Sequence, residues 1–380
     1  MGHERHPLSP RLDRCPPTLP REAYLDPGWF DREMRTIFAR TWVMAGRLAD
    51  IAPGTMRRAA LGTAPGILCR DADGALSAFH NTCRHRGAEL CRAEVEPLGR
   101  MIRCPYHAWA YAASDGRLLS TAHAVPTRDF RPGDHGLFPL ATRVWNGFVF
   151  LSAAADPGDI HSDVPLATLD NWPMDALVTA HRHEAELACN WKAFWENYSE
   201  CLHCPGVHPE LCDRVPVYGR GLMGPAEAAD WTPDAPPAPA LARGAESWTP
   251  TGAPCGPAFP GLTAAERAGG HTFVTLWPSA FVVAHVDHVR SVRLVPLAPD
   301  RTRLVAEWHF PPATLAQPGF DASEVAAFAT RVLRQDAEAV EANQRGIASP
   351  AFRRGTLMPE EYEIDRFDRW VLAGMEEGAP

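Results

Sequence analysis

Two histidines that could share one metal ion, His203 and His208, lie near the end of the segment 190–208. This segment is predicted to form a helix, because its large apolar residues recur every three or four positions. On an unbroken helix the two imidazoles would point about 140° apart. Pro205 and Gly206 are therefore predicted to end the helix and to let the chain bring His208 back toward His203. Histidine pairs also occur as satisfied core groups, so this pair needs support from the rest of the chain.

Two half-sites, each with one cysteine and one histidine, lie earlier in the chain. They are Cys83-Arg84-His85 and Cys104-Pro105-Tyr106-His107. Zinc fingers place both cysteines in one half-site and both histidines in the other. A Rieske 2Fe-2S cluster instead uses two loops that each carry one cysteine and one histidine. The observed pairing is the Rieske arrangement, and zinc binding or a purely structural role is the alternative.

A carboxylate, Asp336, could complete a metal site with the histidine pair. It lies on the apolar stripe of a helix predicted from about Asp321 to Gln344. A carboxylate that faces a core is costly unless a cation pairs with it. An arginine or lysine partner would suffice, but His203, His208 and Asp336 together match the facial triad of non-haem Fe(II) oxygenases.

The length and the elements that position these residues suggest about two domains. Residues 1–44 are predicted to form a lead-in and a helix that packs on the main body. Short apolar runs over residues 45–153 predict an all-β module. Residues 216–261 are rich in Pro and Ala and predict a long loop that covers the pocket or forms a surface insertion. Four strands are predicted before the late helix: Thr272–Trp277, Ala280–Val286, His288–Pro296 and Thr302–Phe310.

Over nearly its whole length, the sequence resembles the oxygenase (alpha) component of the Rieske non-haem iron oxygenases. The motifs CRHRG (83–87) and CPYHAW (104–109) carry this resemblance together with the His203, His208 and Asp336 set. It implies an α+β protein, with an all-β Rieske domain over residues 45–153 and a catalytic domain over residues 154–380 on which the helix of residues 1–44 packs. In the catalytic domain a curved antiparallel sheet wraps around helices, as in helix-grip or START-like folds. It also implies a 2Fe-2S cluster held by Cys83, His85, Cys104 and His107, a mononuclear Fe(II) and O2 as co-substrate.

The resemblance also implies how electrons travel. In the family, an electron crosses a subunit interface of a homotrimer through a bridging carboxylate. Glu200 matches this bridge, with His107 as its expected partner, and a plain solvated glutamate is the alternative. The chain contains no Gly-x-Gly-x-x-Gly fingerprint after a strand. Electrons from NAD(P)H are therefore expected through a separate ferredoxin-reductase-type protein.

The substrate class follows from the sequence around the bridge. Ring-dihydroxylating members usually have an aspartate there, whereas ENYSECLHCPGVHPEL resembles the branch that oxidises glycine betaine, carnitine, choline or stachydrine. This implies hydroxylation of an N-methyl group, with release of formaldehyde. Aromatic faces hold such cations with about 0.5 to 2 kcal/mol per ring. Candidate cage residues, for which core packing is the alternative, are Trp195, Tyr198, Trp277 and Phe281.

Two other functions remain open at this point. One is a Rieske oxygenase that hydroxylates an aromatic ring or another C–H bond of a carboxylic acid. The other is a non-enzymatic electron-transfer or zinc-binding protein, which would need no iron at His203, His208 and Asp336.

Composition narrows the partners and the compartment. A net charge of -9 argues against nucleic acid or a membrane surface as a partner. The longest uncharged apolar run, 148–155, is too short to cross a bilayer, so a cytoplasmic protein is predicted. The ten cysteines do not suggest a disulfide framework. Those outside the cluster motif are expected to be small buried or surface residues, with Cys201 and Cys204 as alternative zinc ligands beside His203.

Overall fold

The computed structural model describes residues 6–234 and 241–376, and the chain divides into two units. The sequence predicts boundaries after residues 44 and 153, but the structure groups residues 34–44 and 154–161 with the β-rich unit. Residues 34–44 do so in part because Met34 and Phe38 lie against Gly62 of that unit. The β-rich unit is Met34–His161 with Trp277–Ser279, and the larger α+β unit is Met1–Glu33, Ser162–Leu276 and Ala280–Pro380.

The β-rich unit consists of short antiparallel strands, as the sequence predicts. Its strands pair in the orders β1-β10-β9, β4-β3-β2-β5 and β6-β7-β8. The ten strands are β1 (Val43–Arg47), β2 (Thr55–Leu61), β3 (Ala64–Arg70), β4 (Leu76–His80), β5 (Val95–Pro97), β6 (Met101–Arg103), β7 (Ala110–Ala112), β8 (Leu118–Ser120), β9 (Ala141–Trp145) and β10 (Phe148–Ser152).

The α+β unit contains one five-stranded antiparallel sheet in the order β11-β15-β14-β13-β12. The sequence predicts four of its strands but misses β11, an edge strand. Its sequence, VTAHRHEAEL, is mostly polar, and only its last residue is buried, so it lacks the apolar signal used for prediction. The strands are β11 (Val178–Leu187), β12 (His271–Leu276), β13 (Ala280–His285), β14 (Val289–Ala298) and β15 (Arg301–Phe310).

In sequence, the helices of this unit lie before β11, between β11 and β12, and after β15. The nine α-helices of the described residues are α1 (Glu22–Leu25), α2 (Pro27–Glu33), α3 (Trp191–Tyr198), α4 (Cys204–Val207), α5 (Pro209–Arg214), α6 (Ala264–Gly269), α7 (Pro312–Leu315), α8 (Ala322–Ile347) and α9 (Tyr362–Glu376). Helix α8 is the predicted late helix, but it is not the last, because α9 follows it. The α+β class is confirmed.

Helices α3 and α8 lie at the centre of the larger unit. Helix α3 contacts α8, α9 and β14, and α8 also contacts β11. The side chain of Asn190 caps α3 by accepting a hydrogen bond from the backbone N–H of Lys192, and Asp321 caps α8 through Ser323. Each cap satisfies a backbone donor that the helix leaves free. Both helices therefore begin where their sequences predict.

Among the described residues, no helix combines the length and the apolar character that a membrane span requires.

Candidate active site

Helix α3 ends earlier than the sequence predicts, and this early end positions His203. The helix stops at Tyr198, where the Ser199 hydroxyl donates to the backbone carbonyl of Trp195 at 2.7 Å. The Glu200 carboxylate then accepts hydrogen bonds from the backbone N–H groups of Leu202 and His203. Ser and Glu side chains thus replace helical hydrogen bonds after Tyr198.

Pro205 does not end a helix but lies in the first turn of α4. Proline fits this position because the first backbone N–H groups of a helix have no partner within it. His203 therefore precedes α4, and His208 lies between α4 and α5. The sequence prediction that the chain folds back to bring the two histidines together agrees with this arrangement, although its stated cause is wrong.

His203, His208 and Asp336 come together as a compact donor set. Their ligand atoms all lie within 4.8 Å of one another. Asp336 Oδ1 is 2.9 Å from His208 Nε2 and 3.5 Å from His203 Nε2, and Asn197 Nδ2 donates to Asp336 Oδ1 at 2.7 Å. None of the described arginines or lysines pairs with Asp336. Two imidazoles and one carboxylate form the donor set that non-haem Fe(II) prefers.

Hydrogen bonds orient both imidazoles for metal binding. His203 Nδ1 donates to Glu200 Oε1 at 2.6 Å. His208 Nδ1 donates to Gln335 Oε1 at 2.9 Å, and the Gln335 amide is itself oriented because its Nε2 donates to Glu210. Because each Nδ1 proton is held by its own acceptor, Nε2 is the nitrogen of each ring that would bind a metal after giving up its proton. The residues present therefore fit a mononuclear iron.

The electrostatics of the site favour a bound cation. Burial by itself raises the pKa of Asp336, but hydrogen bonds from His203 and His208 and their charges outweigh it and lower the pKa to about 2. Burial lowers the pKa of His203, yet Asp336 and Glu200 raise it to about 9. The raised pKa of His203 shows that Asp336 and Glu200 stabilise positive charge at this point.

The two half-sites of the β-rich unit form matching loops. The Cys83 N–H donates to Ala88 O, and the Cys104 N–H donates to Trp109 O, both at 2.8 Å. In each loop the cysteine carbonyl accepts from the residue four positions later, Gly87 or Ala108. Both of these residues have positive φ, 77° and 58°. The loops follow β4 and β6, so the sheets hold them side by side.

The four side chains in these loops fit a Rieske cluster. The thiols of Cys83 and Cys104 are buried and interact with each other. The rings of His85 and His107 are 4.7 Å apart and lie nearer the surface. Tyr111 Oη accepts from Arg84 N, so its proton is free to donate to Cys83 Sγ at 3.1 Å. Buried sulfur donors and outward imidazoles suit a cluster whose histidine-bound iron faces a redox partner.

A pocket with an empty volume of about 600 Å³ opens on His203, His208 and Asp336. Of the four aromatic residues that the sequence proposes for substrate binding, Tyr198 and Phe281 line this pocket. Their rings are stacked, with 3.9 Å between the ring centres.

The other two aromatic candidates lie outside the pocket lining, so we do not assign them to substrate binding. Trp195 is fully buried and packs its ring against Phe367 and the far side of Phe281, because it lies on the core face of α3. Trp277 belongs to the β-rich unit, where it stacks on His161 at 5.1 Å.

Several lining residues are absent from the sequence-based candidates. Tyr218, Met223 and Trp248 come from the Pro-rich segment 216–261, so part of that segment does cover the pocket. Residues 235–240 of the segment lie outside the described residues. His271 and Arg290 come from strands β12 and β14. The large aromatic rings of this Pro- and Ala-rich segment were the available signal that it packs on another surface.

Comparison with protein families agrees with this geometry. Residues 41–131 match the Rieske [2Fe-2S] domain model, and residues 174–377 match the model of the ring hydroxylating alpha subunit (catalytic domain). The chain belongs to the Rieske non-haem iron oxygenases. It is the oxygenase component, an oxidoreductase with a Rieske cluster and a mononuclear iron as cofactors.

Other members of the Rieske oxygenases resemble the chain along most of its length. The glycine betaine monooxygenase oxygenase subunit of Chromohalobacter salexigens is 32% identical, over 96% of this chain and 88% of the relative. The chloroplastic choline monooxygenase of Beta vulgaris is 26% identical, over 98% and 79%. The crystal structure of the quaternary ammonium Rieske monooxygenase CntA with L-carnitine has the same fold, with a TM-score of 0.68, 20% identity and coverage of 98% and 99%.

The cysteines beside His203 correct one sequence-based expectation for this Rieske oxygenase. Cys201 and Cys204 are joined in a disulfide, whereas the sequence suggested two separate small residues or zinc ligands. The short loop between α3 and α4 brings the two residues within 4.9 Å between Cα atoms. A disulfide removes both thiolates as ligands, so the zinc alternative at His203 loses its sulfur donors.

Gln335 is expected to control iron affinity in this Rieske oxygenase without touching the metal. The Gln335→Ala variant leaves His208 Nδ1 without its acceptor, and we expect the affinity for Fe(II) to fall about 10- to 100-fold. Titration of iron into metal-free protein measures the change. Gln335→Glu keeps an acceptor and should restore most of the affinity, and the exposed neighbour Arg334→Ala serves as the control. Equal iron affinity in wild type and Gln335→Ala would contradict this role.

Proposed function

We propose that this chain is the terminal oxygenase of a Rieske system that hydroxylates an N-methyl group of a small quaternary ammonium compound. The product is an unstable hemiaminal, which releases formaldehyde. The observation that carries the proposal is the aromatic lining of the cavity that opens on His203, His208 and Asp336. The names of the relatives, which are oxygenases of glycine betaine, choline and carnitine, support it.

The metal centres have separate roles in this proposal. His203, His208 and Asp336 would hold the mononuclear iron, which supplies the reductive activation of O2. Cys83, His85, Cys104 and His107 would hold the 2Fe-2S cluster, which supplies an electron. The electrons come from NAD(P)H through a separate ferredoxin-reductase-type protein, because the Gly-x-Gly-x-x-Gly match at 219–224 follows helix α5 and not a strand, as a nucleotide fingerprint requires.

The protein residues around the iron orient the reactants. Glu200 and Gln335 keep the Nδ1 protons of His203 and His208 in position, so both Nε2 atoms stay available. Tyr198, Phe281 and Trp248 offer aromatic faces to a cation that has no hydrogen-bond donor. The apolar walls of the cavity exclude water from the methyl group beside the triad.

Formaldehyde release tests the proposal directly. The reconstituted oxygenase, supplied with a generic reductase, NADH and air, is offered glycine betaine, carnitine, choline, stachydrine and benzoate-type acids. We expect formaldehyde from at least one ammonium compound, in amounts that match the substrate consumed. If no ammonium compound reacts while both metal centres are intact, the proposal fails. Oxygenation of an aromatic acid would then support the alternative, hydroxylation of a ring or another C–H bond.

Glu200 has a second role in the proposal, as the link between metal centres of neighbouring chains in a homotrimer. Its carboxylate accepts from His203 Nδ1, and its partner in the next chain would be the cluster ligand His107. In Glu200→Ala, substrate-triggered oxidation of the reduced cluster should slow by about 10- to 100-fold. Stopped-flow absorbance of the pre-reduced enzyme measures this rate.

The control for this prediction separates electron transfer from iron binding. Glu200→Gln retains an oxygen that accepts from His203 Nδ1, so its iron content should stay at the wild-type level. Glu200→Ala with normal iron content and a wild-type rate of cluster oxidation would contradict the bridging role. Sedimentation velocity of the same proteins tests the trimer.

A further inference from the structure

One charged side chain that lines the cavity forms no ion pair with the described residues. Arg290 is the second residue of β14, and only 4% of its surface is exposed. Its Nε and Nη1 atoms have no hydrogen-bond partner, and its guanidinium makes no ion pair with any residue that the structure describes. An arginine stays protonated in proteins. Arg290 therefore holds a buried positive charge that the chain itself does not neutralise.

Such an arrangement is costly in the ligand-free protein. Each buried donor without an acceptor destabilises the fold, and an unpaired buried charge does so more strongly. Burial accordingly lowers the pKa of Arg290 from its ordinary value. A stable fold keeps such a group most readily when a ligand provides the missing anion.

None of the described groups around Arg290 forms an ion pair with its guanidinium. The nearby carboxylate Asp336 already accepts from Asn197 and contacts both histidines of the triad. Burial raises the pKa of Tyr198 well above its ordinary value, so its phenol stays neutral. Burial, and then the charge of Arg290, lower the pKa of His271 to about 4. At neutral pH, Arg290 thus faces neutral rings.

The guanidinium faces the same space as the iron ligands. Arg290 lines the cavity together with His203, His208 and Asp336. Its Cζ lies 5.9 Å from the ring centres of both Trp248 and Phe281. The charges of Arg290 and Asp336 interact. A small molecule in this cavity can thus touch the guanidinium and still present an atom to the triad.

We propose that Arg290 binds a carboxylate of the substrate, and that the substrate is therefore a quaternary ammonium compound that also carries a carboxylate. This inference rests on the proposed function for the ammonium part. A guanidinium binds a carboxylate through two parallel N–H···O bonds, which would satisfy both Nε and an Nη atom. The aromatic faces of the cavity then hold the trimethylammonium end.

The same arrangement disfavours a substrate that is only a cation. Choline carries an alcohol in place of the carboxylate, so it would add a second positive charge and leave Arg290 unpaired. Glycine betaine and carnitine are zwitterions and neutralise the guanidinium. Arg290 thus favours the zwitterions glycine betaine and carnitine over the cation choline.

Binding of three probes to the metal-loaded enzyme tests the proposal by calorimetry. Glycine betaine has both charges, choline has only the ammonium, and tert-butylacetate has the shape of glycine betaine with the carboxylate alone. Wild type should bind glycine betaine most tightly. Arg290→Gln should weaken binding of glycine betaine and of tert-butylacetate about 10- to 100-fold and leave choline unchanged or tighter.

Metal content, thermal stability and two further variants separate a loss of the anion site from misfolding. Arg290→Gln should keep wild-type iron and cluster content and should have a higher Tm without ligand, because it removes an unpaired charge. Glycine betaine should raise the Tm of wild type but not of Arg290→Gln. Arg290→Lys keeps the charge and should recover part of the affinity, and Arg303→Gln, on the neighbouring strand β15 with its side chain 45% exposed, is the matched control.

The outcomes separate this inference from the proposed function. Equal affinity of wild type for choline and glycine betaine, or equal losses for both in Arg290→Gln, would overturn the role of Arg290 and leave N-methyl hydroxylation untouched. Binding of tert-butylacetate and benzoate that depends on Arg290, without formaldehyde from any ammonium compound, would overturn the ammonium part and support the carboxylate anchor.

Discussion

Asp336→Ala should eliminate oxygenation while the Rieske cluster stays in place. The variant removes the one carboxylate of the donor set and leaves two imidazoles, so the mononuclear iron loses its charge-neutralising ligand. Removing a residue that only hydrogen-bonds a metal ligand typically lowers metal affinity or activity about 10- to 100-fold. Loss of the ligand itself should therefore lower formaldehyde release to below about one hundredth of wild type. Iron analysis, cluster absorbance and formaldehyde release measure the three effects separately.

A matched variant on the same helix controls for damage to α8. Glu338 is exposed and two residues beyond Asp336, so Glu338→Ala should keep the iron, the cluster and the activity. Asp336 packs at the centre of the unit, so its replacement also needs a check of folding by circular dichroism. Asp336→Ala protein that retains its mononuclear iron and releases formaldehyde at the wild-type rate would rule out Asp336 as a ligand.

Cys83→Ala should have the opposite pattern, with loss of the cluster and retention of the mononuclear iron. A Rieske cluster needs both thiolates on one iron, and Cys83 and Cys104 are the two buried thiols that meet in the loops after β4 and β6. The variant should lose the visible absorbance and the electron paramagnetic resonance signal of the reduced cluster. Turnover coupled to NAD(P)H should fall below about one hundredth of wild type, because no electron reaches the iron.

Cys91 provides the control for this variant. It is as buried as Cys83 and belongs to the same core, but its thiol donates to the backbone carbonyl of Ala93. Cys91→Ala should therefore retain the cluster while removing a similar volume from the core. If Cys83→Ala keeps the Rieske spectrum, or if both variants lose it equally, Cys83 does not have the proposed role.

The candidate metal-binding residues were recognisable in the sequence because their signals are local. The two loops of the Rieske half-sites each carry their cysteine and histidine within four residues, and one set of backbone hydrogen bonds shapes each loop. Asp336 was identifiable because a carboxylate interrupts the apolar stripe of a long helix, and α8 does bury it. Patterns of this kind depend on neighbours in the sequence and not on distant packing.

Sequence reasoning failed where side chains or distant strands decided the local structure. The end of α3 at Tyr198 depends on two side chains that hydrogen-bond the backbone, because the Ser199 hydroxyl donates to Trp195 O and the Glu200 carboxylate accepts from Leu202 N–H. Such bonds compete with helix formation. Strand β11 is too polar to be recognised alone, and it forms because β15 offers an edge with which to pair. Local side-chain hydrogen bonds thus decided the end of α3, and a tertiary strand pairing decided β11.

The sequence by itself determined the family, the α+β class, the two metal-binding motifs and the helix that carries Asp336, because each depends on residue types at short, regular spacings. Only the tertiary structure decided which side chains line the substrate cavity. Arg290 lies in the buried first part of β14, and Trp248 lies in a Pro-rich segment, so the sequence around them does not show that either residue lines the cavity. Their roles arise because a folded sheet and a covering segment bring residues distant in sequence to one cavity, where burial turns a single guanidinium into a site that needs an anion.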